Sequence, residues 1–379
     1  VELCTSNNAK DLAHSTTISL GFAVENLEKA MERAEKLRAS YGYQSAALDF
    51  EQVLNDSEVD VIDICTPPVC HRDMILAALK AGKHVICEKP LTGYFGKPGE
   101  ENVGRTEKAK MYREVMAIMD ELKEVVDSTD KKFLYAENFV YATPVQKAAE
   151  IIRAKKSKVL FMKGEESLKG SSSPVAGKWN KTGGGILVRT GTHPLTGMLW
   201  LKQQEALARG ETITVKSGSA DVGVTTACLS EHEHRHIAAR PEDVEDYAAV
   251  TVTFSDGTKC LTIASDTVLG GTKNYIEVYS NDSSLMCNIT PTDILNTYFL
   301  DEEGLDDVYI SEMLPAKLGW NKAFVSDEII RGYMGELQDF METIAYDKTP
   351  SSDFALAYET TKIMYAAYQS AEEGRRIDL

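Results

Sequence analysis

The sequence predicts an α/β fold, with an amino-terminal, doubly wound parallel sheet followed by an α+β region that holds a large, mainly antiparallel sheet. Three observations lead to this class. The chain has 379 residues, more than one ordinary core holds, so we expect two domains. Its first part alternates short apolar runs with helical patterns, as β-α-β units do. Its second half carries strand-like runs joined by hairpin signals.

The elements of the first part alternate between strand and helix. Short apolar runs predict strands over residues 18–24, 59–65, 84–87 and 132–135. Helical spacing predicts helices over residues 27–40, 71–80 and 108–128, and Gly82 closes the second of them. Because strand and helix alternate, we expect a parallel sheet and place the domain boundary near Ala136.

The later part of the chain changes to hairpin-linked strands. Strand-like runs cover residues 248–254, 260–266, 274–279 and 284–289, and Asp256-Gly257 is a hairpin signal between the first two. Helical spacing returns over residues 327–346 and 354–373. One face of an antiparallel sheet needs cover, so we expect a homo-oligomer.

Composition and charge limit the class of partner. Hydrophobic residues make up 43% of the chain and charged residues 26%, as in ordinary globular proteins. The net charge of −17 would repel nucleic acid and anionic lipid, and no local basic patch offsets it. We therefore expect a small, neutral or cationic partner, with no nucleic acid and no membrane. No apolar run approaches the roughly 20 residues of a spanning helix and no signal peptide is visible, so we expect a cytoplasmic protein.

The cysteines and a histidine cluster raise the question of a metal site. The seven cysteines are scattered and contain no Cys-x-x-Cys pair, so we expect reduced packing residues. His232, His234 and His236 would share one face of an extended strand, where three imidazoles could bind zinc. The charged residues between them indicate a solvated loop instead. We therefore expect no metal.

Glu25 is the first candidate for cofactor binding. In a doubly wound sheet, an acidic residue at the end of the second strand accepts hydrogen bonds from the ribose hydroxyls of a dinucleotide. Glu25 ends the run over residues 18–24, and Asn26 follows it rather than Arg or Lys. A carboxylate without a countercharge disfavours the 2′-phosphate of NADP, so the pattern favours NAD. The alternative is that Glu25 only opens the following helix.

The glycine-rich phosphate turn that should precede this strand is not visible. The first glycine of the chain is Gly21, and no Gly-x-Gly-x-x-Gly run comes before Glu25. Because the chain begins with Val1 rather than Met, we expect the first strand and its turn to lie upstream of this numbering.

Thr66, Pro67 and Pro68 form a second candidate region for the cofactor. They follow a buried strand at its carboxyl end, the edge where doubly wound sheets bind ligands. Prolines there hold the chain extended beside a dinucleotide. The alternative is that they simply end the strand.

Several runs of the chain form a set that characterises one family. They are Asp-Val-Ile-Asp-Ile-Cys-Thr-Pro-Pro at residues 60–68 with His71, Ala-Gly-Lys-His-Val-Ile-Cys-Glu-Lys-Pro-Leu at residues 81–91, three glycines at residues 183–185 before His193, Val-Glu-Asp-Tyr-Ala at residues 244–248, and the ending at residues 366–375. On these runs the chain resembles the Gfo/Idh/MocA family of glucose-fructose oxidoreductases and inositol dehydrogenases. The resemblance implies an NAD-binding Rossmann-type domain over residues 1–136. It implies a substrate-binding and oligomerisation domain over residues 137–379.

The resemblance also implies two proton-handling residues. In that family the lysine of the Glu-Lys-Pro run touches the nicotinamide side and the substrate hydroxyl, and Lys89 matches it. A histidine of the second domain acts as general base, and His193 matches that residue. The family usually has an aspartate four residues before this histidine and another acid three residues after it. This chain has Arg189 and Thr196 there, so a substrate assignment to inositol or simple sugars does not carry over.

Elementary chemistry agrees with these two roles. Oxidation of a secondary alcohol needs a base that is neutral near neutral pH and a donor that steadies the developing alkoxide. Histidine titrates in that range, and a lysine can donate to the alkoxide. The remaining candidates are His71 and Glu88 on the cofactor side, together with Arg189, Thr192, Tyr141 and Asn138 on the substrate side.

The activity implied by the resemblance is an NAD(P)-dependent dehydrogenase that oxidises a ring hydroxyl of a sugar, sugar glycoside or cyclitol. The run over residues 91–96 and the insertion behind it are similar to branches that form 3-oxo-glycosides. Two alternatives stay open: an oxidoreductase that recycles a tightly bound cofactor, and a catalytically silent, nucleotide-binding regulator. Residues 94–105 could form a mobile flap or a plain surface loop, and residues 168–185 are expected to line the substrate cleft.

Overall fold

A computed structural model describes residues 49–290 and 327–379 without a gap, together with residues 2–3, 17–18, 35–36, 38–40, 45–46, 295–301, 303 and 318–323. The chain divides into two units, each assembled from three segments. Unit 1 comprises Val1–Gly93, Val115–Ala136 and Asp339–Tyr358, and unit 2 comprises Tyr94–Glu114, Glu137–Gln338 and Glu359–Leu379. One crossing between them falls between Ala136 and Glu137. The division of roles between residues 1–136 and 137–379 stays a prediction.

Unit 1 is built on a parallel sheet. Its strands are β1 (Glu2–Leu3), β2 (Thr17–Ile18), β3 (Ser45–Ala46), β4 (Val61–Ile64), β5 (His84–Glu88) and β6 (Phe133–Ala136). Its helices are α1 (Phe50–Leu54), α2 (His71–Lys80) and the second part of α3 (Lys108–Asp127). Strands β2, β4, β5 and β6 lie side by side in that order, all parallel, and β1 pairs with β3.

Local sequence explains most of unit 1. In β4, Ile62, Asp63 and Ile64 are all buried, the near-continuous burial typical of a strand inside a parallel sheet. Helix α2 has the predicted bounds, and Gly82 follows it with a φ of 73°. Most of the strand predicted over residues 18–24 lies outside the described residues, whereas residues 35–36 and 38–40 are helical as predicted.

Unit 2 is built on a seven-stranded mixed sheet. The described strands of unit 2 are β7 (Val159–Ser167), β8 (Val215–Gly223), β9 (Tyr247–Phe254), β10 (Lys259–Ser265), β11 (Lys273–Ser280), β12 (Ser284–Asn288), β13 (Leu295–Phe299), β14 (Gly319–Ala323) and β15 (Ile377–Asp378). The sheet order is β12-β11-β7-β10-β9-β8-β15, in which β7 and β10 are parallel and the other neighbours antiparallel. β13 pairs with β14 in a separate hairpin. The predicted α/β class, with a parallel sheet and a large mainly antiparallel one, is confirmed.

The helices of this part of the chain are α4 (Thr143–Lys155), α5 (Trp179–Thr182), α6 (Thr192–Arg209), α7 (Asp327–Ile330), α8 (Tyr333–Tyr346) and α9 (Phe354–Glu373), of which α8 and α9 also contribute to unit 1. Helices α4 and α6 pack against the large sheet. Helix α6 packs on β7, β10 and β11. The strands alternate accordingly: Val250 and Val252 of β9 are buried, whereas Ala249 and Thr251 are half-buried. Among the described helices, none is long and apolar enough to cross a membrane.

The helix predicted over residues 327–346 is interrupted, which corrects that prediction. Gly332 separates α7 from α8 and has a φ of 98°. A Cβ at this position would lie 2.4 Å from both Ala142 N and Asn138 O. The backbone therefore approaches the turn at residues 138–142 too closely for any side chain, and only glycine permits the break.

The described cysteines are all free thiols. Cys87, Cys260 and Cys287 are buried and Cys228 is exposed. Burial raises the pKa of the Cys260 and Cys287 thiols to about 12. These two side chains therefore stay protonated and act as packing groups.

Candidate active site

The carboxyl edge of the parallel sheet in unit 1 carries the predicted cofactor residues. Ile64 of β4 is paired with Cys87 of β5, so the loops that follow both strands leave the sheet at the same edge. Thr66 is buried in the first loop, and Pro67 and Pro68 are half-buried. In parallel sheets this edge is where dinucleotides bind, so the residues present fit a nicotinamide cofactor.

Lys89 lies in the second of these loops. Its side chain is half-buried, and its backbone N–H donates to Glu88 Oε2 at 3.2 Å. The peptide bond between Lys89 and Pro90 is cis. Lys89 directly follows β5 and therefore lies at the carboxyl edge of the sheet, as the Glu-Lys-Pro run predicts.

His71 joins the two loops. Its side chain is completely buried, with Nδ1 2.8 Å from Pro90 O and Nε2 2.9 Å from Thr66 O. Burial lowers the pKa of this imidazole, and Lys89 acts in the same direction. The ring therefore braces the loops from inside, and a direct cofactor contact by His71 stays a prediction. Glu25 and Asn26 lie outside the described residues.

His193 is the second residue of α6, in unit 2. Its Nδ1 lies 2.6 Å from Glu137 Oε1, and the Glu137 side chain is completely buried. The Phe139 ring stacks on the imidazole at 5.1 Å between centroids. Nε2 has no hydrogen-bond partner among the residues that the structure describes, and His193 keeps 8% of its surface exposed. The imidazole is therefore held through Nδ1, whereas Nε2 is left available for another group.

The turn that leads into α6 is held by a buried carboxylate. Glu245 accepts hydrogen bonds from the backbone N–H groups of Gly185 and Leu187, each at 2.9 Å, and from the Tyr368 hydroxyl at 2.8 Å. Burial raises the pKa of Glu245, and these hydrogen bonds oppose that rise. After this anchor the chain forms a π-helical turn over Leu187–Gly191 and continues as α6. The run of glycines before His193 is thus an anchored turn.

Arg189, on the π-helical turn, is ion-paired with Asp266. Asp266 is buried, and burial raises the pKa of its carboxyl while Arg189 opposes that rise. Arg189 stands four residues before His193, where the family resemblance implies an acid. This position therefore carries a positive charge where the resemblance implies a negative one, and that charge is paired with Asp266. A substrate contact by Arg189 stays a prediction.

The other predicted substrate residues are buried. Thr192 has no exposed surface, Tyr141 is 5% exposed and Asn138 is 4% exposed. The Asn138 side-chain amide donates to Arg331 O at 3.0 Å. The hydroxyl of Thr196, in place of the second usual acid, donates to Thr192 O at 2.8 Å. Substrate contacts by the first three residues stay predictions.

Residues 94–105 are fastened at both ends inside unit 2. The Tyr94 N–H donates to the Tyr365 hydroxyl at 2.6 Å, and its carbonyl accepts from Trp179 Nε1 at 3.0 Å. Gly104 N–H donates to Asp243 Oδ2 at 2.8 Å. Within this segment, residues 97–102 and Arg105 are exposed. The segment is therefore an anchored surface loop, and the flap hypothesis for its whole length is not supported. Lining of a substrate cleft by residues 168–185 stays a prediction.

The histidine cluster does not have the geometry of the zinc hypothesis. Glu233–His236 form a 3-10 turn, not an extended strand, so alternate residues do not share a face. His234 Nε2 instead lies 2.8 Å from Ala239 O. Within the described parts of the chain, no group of three His, Cys, Asp or Glu side chains could hold a metal ion.

Sequence reasoning missed Glu137, Glu245 and Asp266 as parts of this site. Glu137 had one usable signal, because it directly follows β6 at the carboxyl end of a parallel strand. Glu245 lies in the run at residues 244–248 that carries the family resemblance, but this run does not indicate what Glu245 contacts. Asp266, directly after β10, shows nothing local that separates it from other acids. Their roles depend on contacts with a turn far away in the chain.

The family of the chain follows from comparison with known proteins. Residues 7–110 match the model of an oxidoreductase family with an NAD-binding Rossmann fold (GFO_IDH_MocA). Residues 158–379 match the C-terminal alpha/beta domain of the same oxidoreductase family. The chain therefore belongs to the Gfo/Idh/MocA oxidoreductases, and the resemblance of its motifs is confirmed.

Among curated relatives, the chain is similar to levoglucosan dehydrogenase of Pseudarthrobacter phenanthrenivorans, with 25% identity over 94% of this chain and 88% of that protein. It is also similar to inositol 2-dehydrogenase of Mycolicibacterium gilvum, 42% identical over 62 residues that cover 16% of this chain and 18% of that protein. Among solved structures, GenD2 from gentamicin A biosynthesis in complex with NAD has a TM-score of 0.71 at 18% identity, covering 92% of this chain and 86% of that chain. Levoglucosan dehydrogenase with NADH and levoglucosan has a TM-score of 0.64 at 19% identity, covering 96% and 89%. At these identities the structures show a shared fold.

Proposed function

We propose that this protein is an NAD-dependent dehydrogenase that oxidises a secondary ring hydroxyl of a sugar, sugar glycoside or cyclitol. The observation that carries the proposal is the arrangement of His193, whose Nδ1 is tied to a buried carboxylate while Nε2 has no partner among the described residues. A ring held in this way is prepared to take a proton at Nε2. Family membership supports the same reaction, as do the names of two relatives, levoglucosan dehydrogenase and inositol 2-dehydrogenase.

In the proposed mechanism His193 and Lys89 handle the proton and the charge of one hydroxyl. Nε2 of His193 removes the hydroxyl proton, and Nζ of Lys89 donates a hydrogen bond to the oxygen as negative charge develops on it. NAD, when bound, accepts the hydride from the carbon that carries this oxygen. Thr66, Pro67 and Pro68 would border the cofactor at the carboxyl edge of the sheet.

The choice of NAD over NADP rests on Glu25 in the sequence. Its carboxylate suits free ribose hydroxyls and repels a 2′-phosphate. Arg189, four residues before His193, offers a donor, and its ion-pair partner Asp266 offers an acceptor, which together suit a substrate rich in uncharged hydroxyls. More specifically, we propose that the substrate is a glycoside that is oxidised to a 3-oxo product.

The test is the appearance of NADH or NADPH absorbance across free sugars, inositols, levoglucosan and aryl glucosides. We expect turnover with NAD, and a loss of about 100-fold or more in kcat for Lys89→Ala and His193→Ala. The exposed His232, changed to Ala, is the matched control and should keep full activity. Binding of NADH without turnover of any substrate would instead favour the silent regulator. Cofactor that co-purifies and cycles between two sugars would favour the recycling oxidoreductase.

A further inference from the structure

We infer that Glu137 is the positioning residue of His193 and supplies, from a separate part of the chain, the carboxylate that stabilises the imidazolium formed in the reaction. This inference rests on the proposed function of His193 as the base. It assigns a role to a residue that lies 56 positions away from the histidine in the sequence.

The hydrogen-bond geometry fixes the tautomer. Because a carboxylate only accepts, Nδ1 of His193 must carry the proton that is shared with Glu137 Oε1. The lone pair then lies on Nε2, which is the nitrogen without a described partner. Phe139 adds a second constraint, since its ring stacks on the imidazole and its backbone N–H donates to the same carboxylate oxygen at 3.3 Å.

Electrostatics gives Glu137 more than an orienting role. Its side chain has no exposed surface, and Oε2 is buried without a hydrogen-bond partner in the described part of the chain. Before proton transfer this carboxylate faces a neutral ring, and afterwards it faces an imidazolium. In a buried site such a pair attracts far more strongly than in water. The interaction therefore strengthens as the reaction proceeds, which lowers the barrier.

The other residues near His193 on its own segment do not supply a carboxylate to stabilise the imidazolium. On the π-helical turn that precedes α6, Arg189 stands four residues before His193, and its charge is paired with Asp266 of the segment after β10. The residue one turn later on the same helix face is Thr196, whose hydroxyl contacts Thr192 O and Thr360 of α9. The position four residues before the base therefore holds no acid in this chain, and Glu137, directly after β6, supplies the carboxylate instead.

The reaction balances with these groups. The O–H bond of the substrate breaks and an N–H bond forms at His193 Nε2. The hydride on the same carbon leaves for NAD, and the hydroxyl becomes a ketone. Glu137 keeps its negative charge throughout and exchanges no proton.

The decisive variant is Glu137→Gln, which keeps the shape and removes the charge. We expect kcat to fall about 100-fold or more while KM and NADH affinity stay within about threefold, because the lost interaction forms only as the ring gains its charge. Glu137→Asp should recover part of kcat, and formate should partly rescue Glu137→Ala. The matched control is Glu165→Gln, another buried carboxylate of unit 2, which bonds to Tyr275 and Lys273 and should leave kcat unchanged.

The outcomes separate this inference from the proposed function. If no substrate is oxidised by the unaltered protein, the proposed function fails. If the unaltered protein is active and Glu137→Gln keeps its kcat, or loses only substrate affinity, the positioning role is wrong. Should Glu137→Gln fail to fold, Glu137→Asp and Glu137→Ala decide the question. A purely structural carboxylate would show neither recovery of kcat in the aspartate variant nor formate-dependent rescue in the alanine variant.

Discussion

Two buried histidines use their ring nitrogens in opposite ways. His193 binds through Nδ1 alone and presents Nε2, whereas both nitrogens of His71 face backbone carbonyl oxygens. A neutral imidazole has one N–H, so His71 can donate to only one of Thr66 and Pro90 at a time. The first arrangement suits proton transfer, and the second suits a brace between the loops that follow β4 and β5.

The brace predicts a stability effect. His71→Leu removes the buried hydrogen bond from the ring to one of these two carbonyls and should cost about 2 kcal/mol of unfolding free energy. The same change should lower kcat, because the loop that carries Lys89 loses its support. Urea unfolding and steady-state rates measure both effects. His232→Leu, at an exposed position, is the control and should change the unfolding free energy by less than about 0.5 kcal/mol; equal effects in the two variants would contradict the brace.

The same histidine predicts how stability depends on pH. Burial holds the pKa of His71 below its ordinary value, so the unfolded chain takes up a proton at this residue more readily than the folded chain. The contribution of His71 to the free energy of unfolding is therefore complete above about pH 6.5 and is lost as the pH falls through the lowered pKa. Unfolding free energies measured from neutral to mildly acidic pH should fall, and the fall should be shallower in His71→Leu. A steeper fall of the unfolding free energy in His71→Leu would show that burial does not lower the pKa of His71.

At the scale of elements, the turn before α6 shows how a glycine run acquires a structural meaning. A Cβ on Gly185 would lie 2.1 Å from Glu245 O and 2.5 Å from its Oε2. The turn can therefore pass against Glu245 only without a side chain. Since α6 and His193 follow directly, the position of the base depends on this contact.

This dependence predicts the effect of adding one methyl group. Gly185→Ala should displace the turn, lower kcat by at least about tenfold and destabilise unit 2 by about 1–3 kcal/mol. Thermal unfolding and kinetics measure the two effects. The control is Gly223→Ala at the end of β8, where a Cβ would meet nothing within 4 Å. Unchanged activity in Gly185→Ala would show that the turn does not position His193.

Sequence patterns predicted elements best where local physics decides them. The helix over His71–Lys80 and the hairpin at Asp256-Gly257 follow from amphipathic spacing and turn chemistry, and both occur as expected. The break at Gly332 was not predicted, because it depends on a close approach to the turn at residues 138–142. Strand β7 was also missed, since its burial does not alternate regularly.

At the scale of the whole molecule, the second face of the large sheet predicts self-association. By register, Phe161, Tyr279, Glu277 and Met286 share this face, where Phe161 is 36% and Met286 59% exposed. The Phe161 and Tyr279 rings stack at 6.0 Å. Aromatic and apolar side chains on an open sheet face favour a partner with the same surface, so a homo-oligomer formed through this face is our proposal.

Light scattering coupled to size exclusion tests this proposal. The unaltered protein should elute as a dimer or larger species, and Phe161→Asp combined with Met286→Asp should shift it towards the monomer. Leu207→Asp is the matched control, because Leu207 is 74% exposed on α6 and away from the sheet face. A monomeric unaltered protein would refute the proposal, as would dissociation by the control variant alone.

The sequence by itself determined the fold class, the family and the two residues proposed to handle the proton. These follow from short-range features: alternating periods, turn residues, and the Glu-Lys-Pro run at the end of one strand. Only the tertiary structure decided what each polar group is paired with. The pairs His193–Glu137, Arg189–Asp266 and Gly185–Glu245 join residues 56, 77 and 60 positions apart. Such pairs form because strands and helices pack side by side, and no local period records which distant carboxylate that packing brings to a given turn.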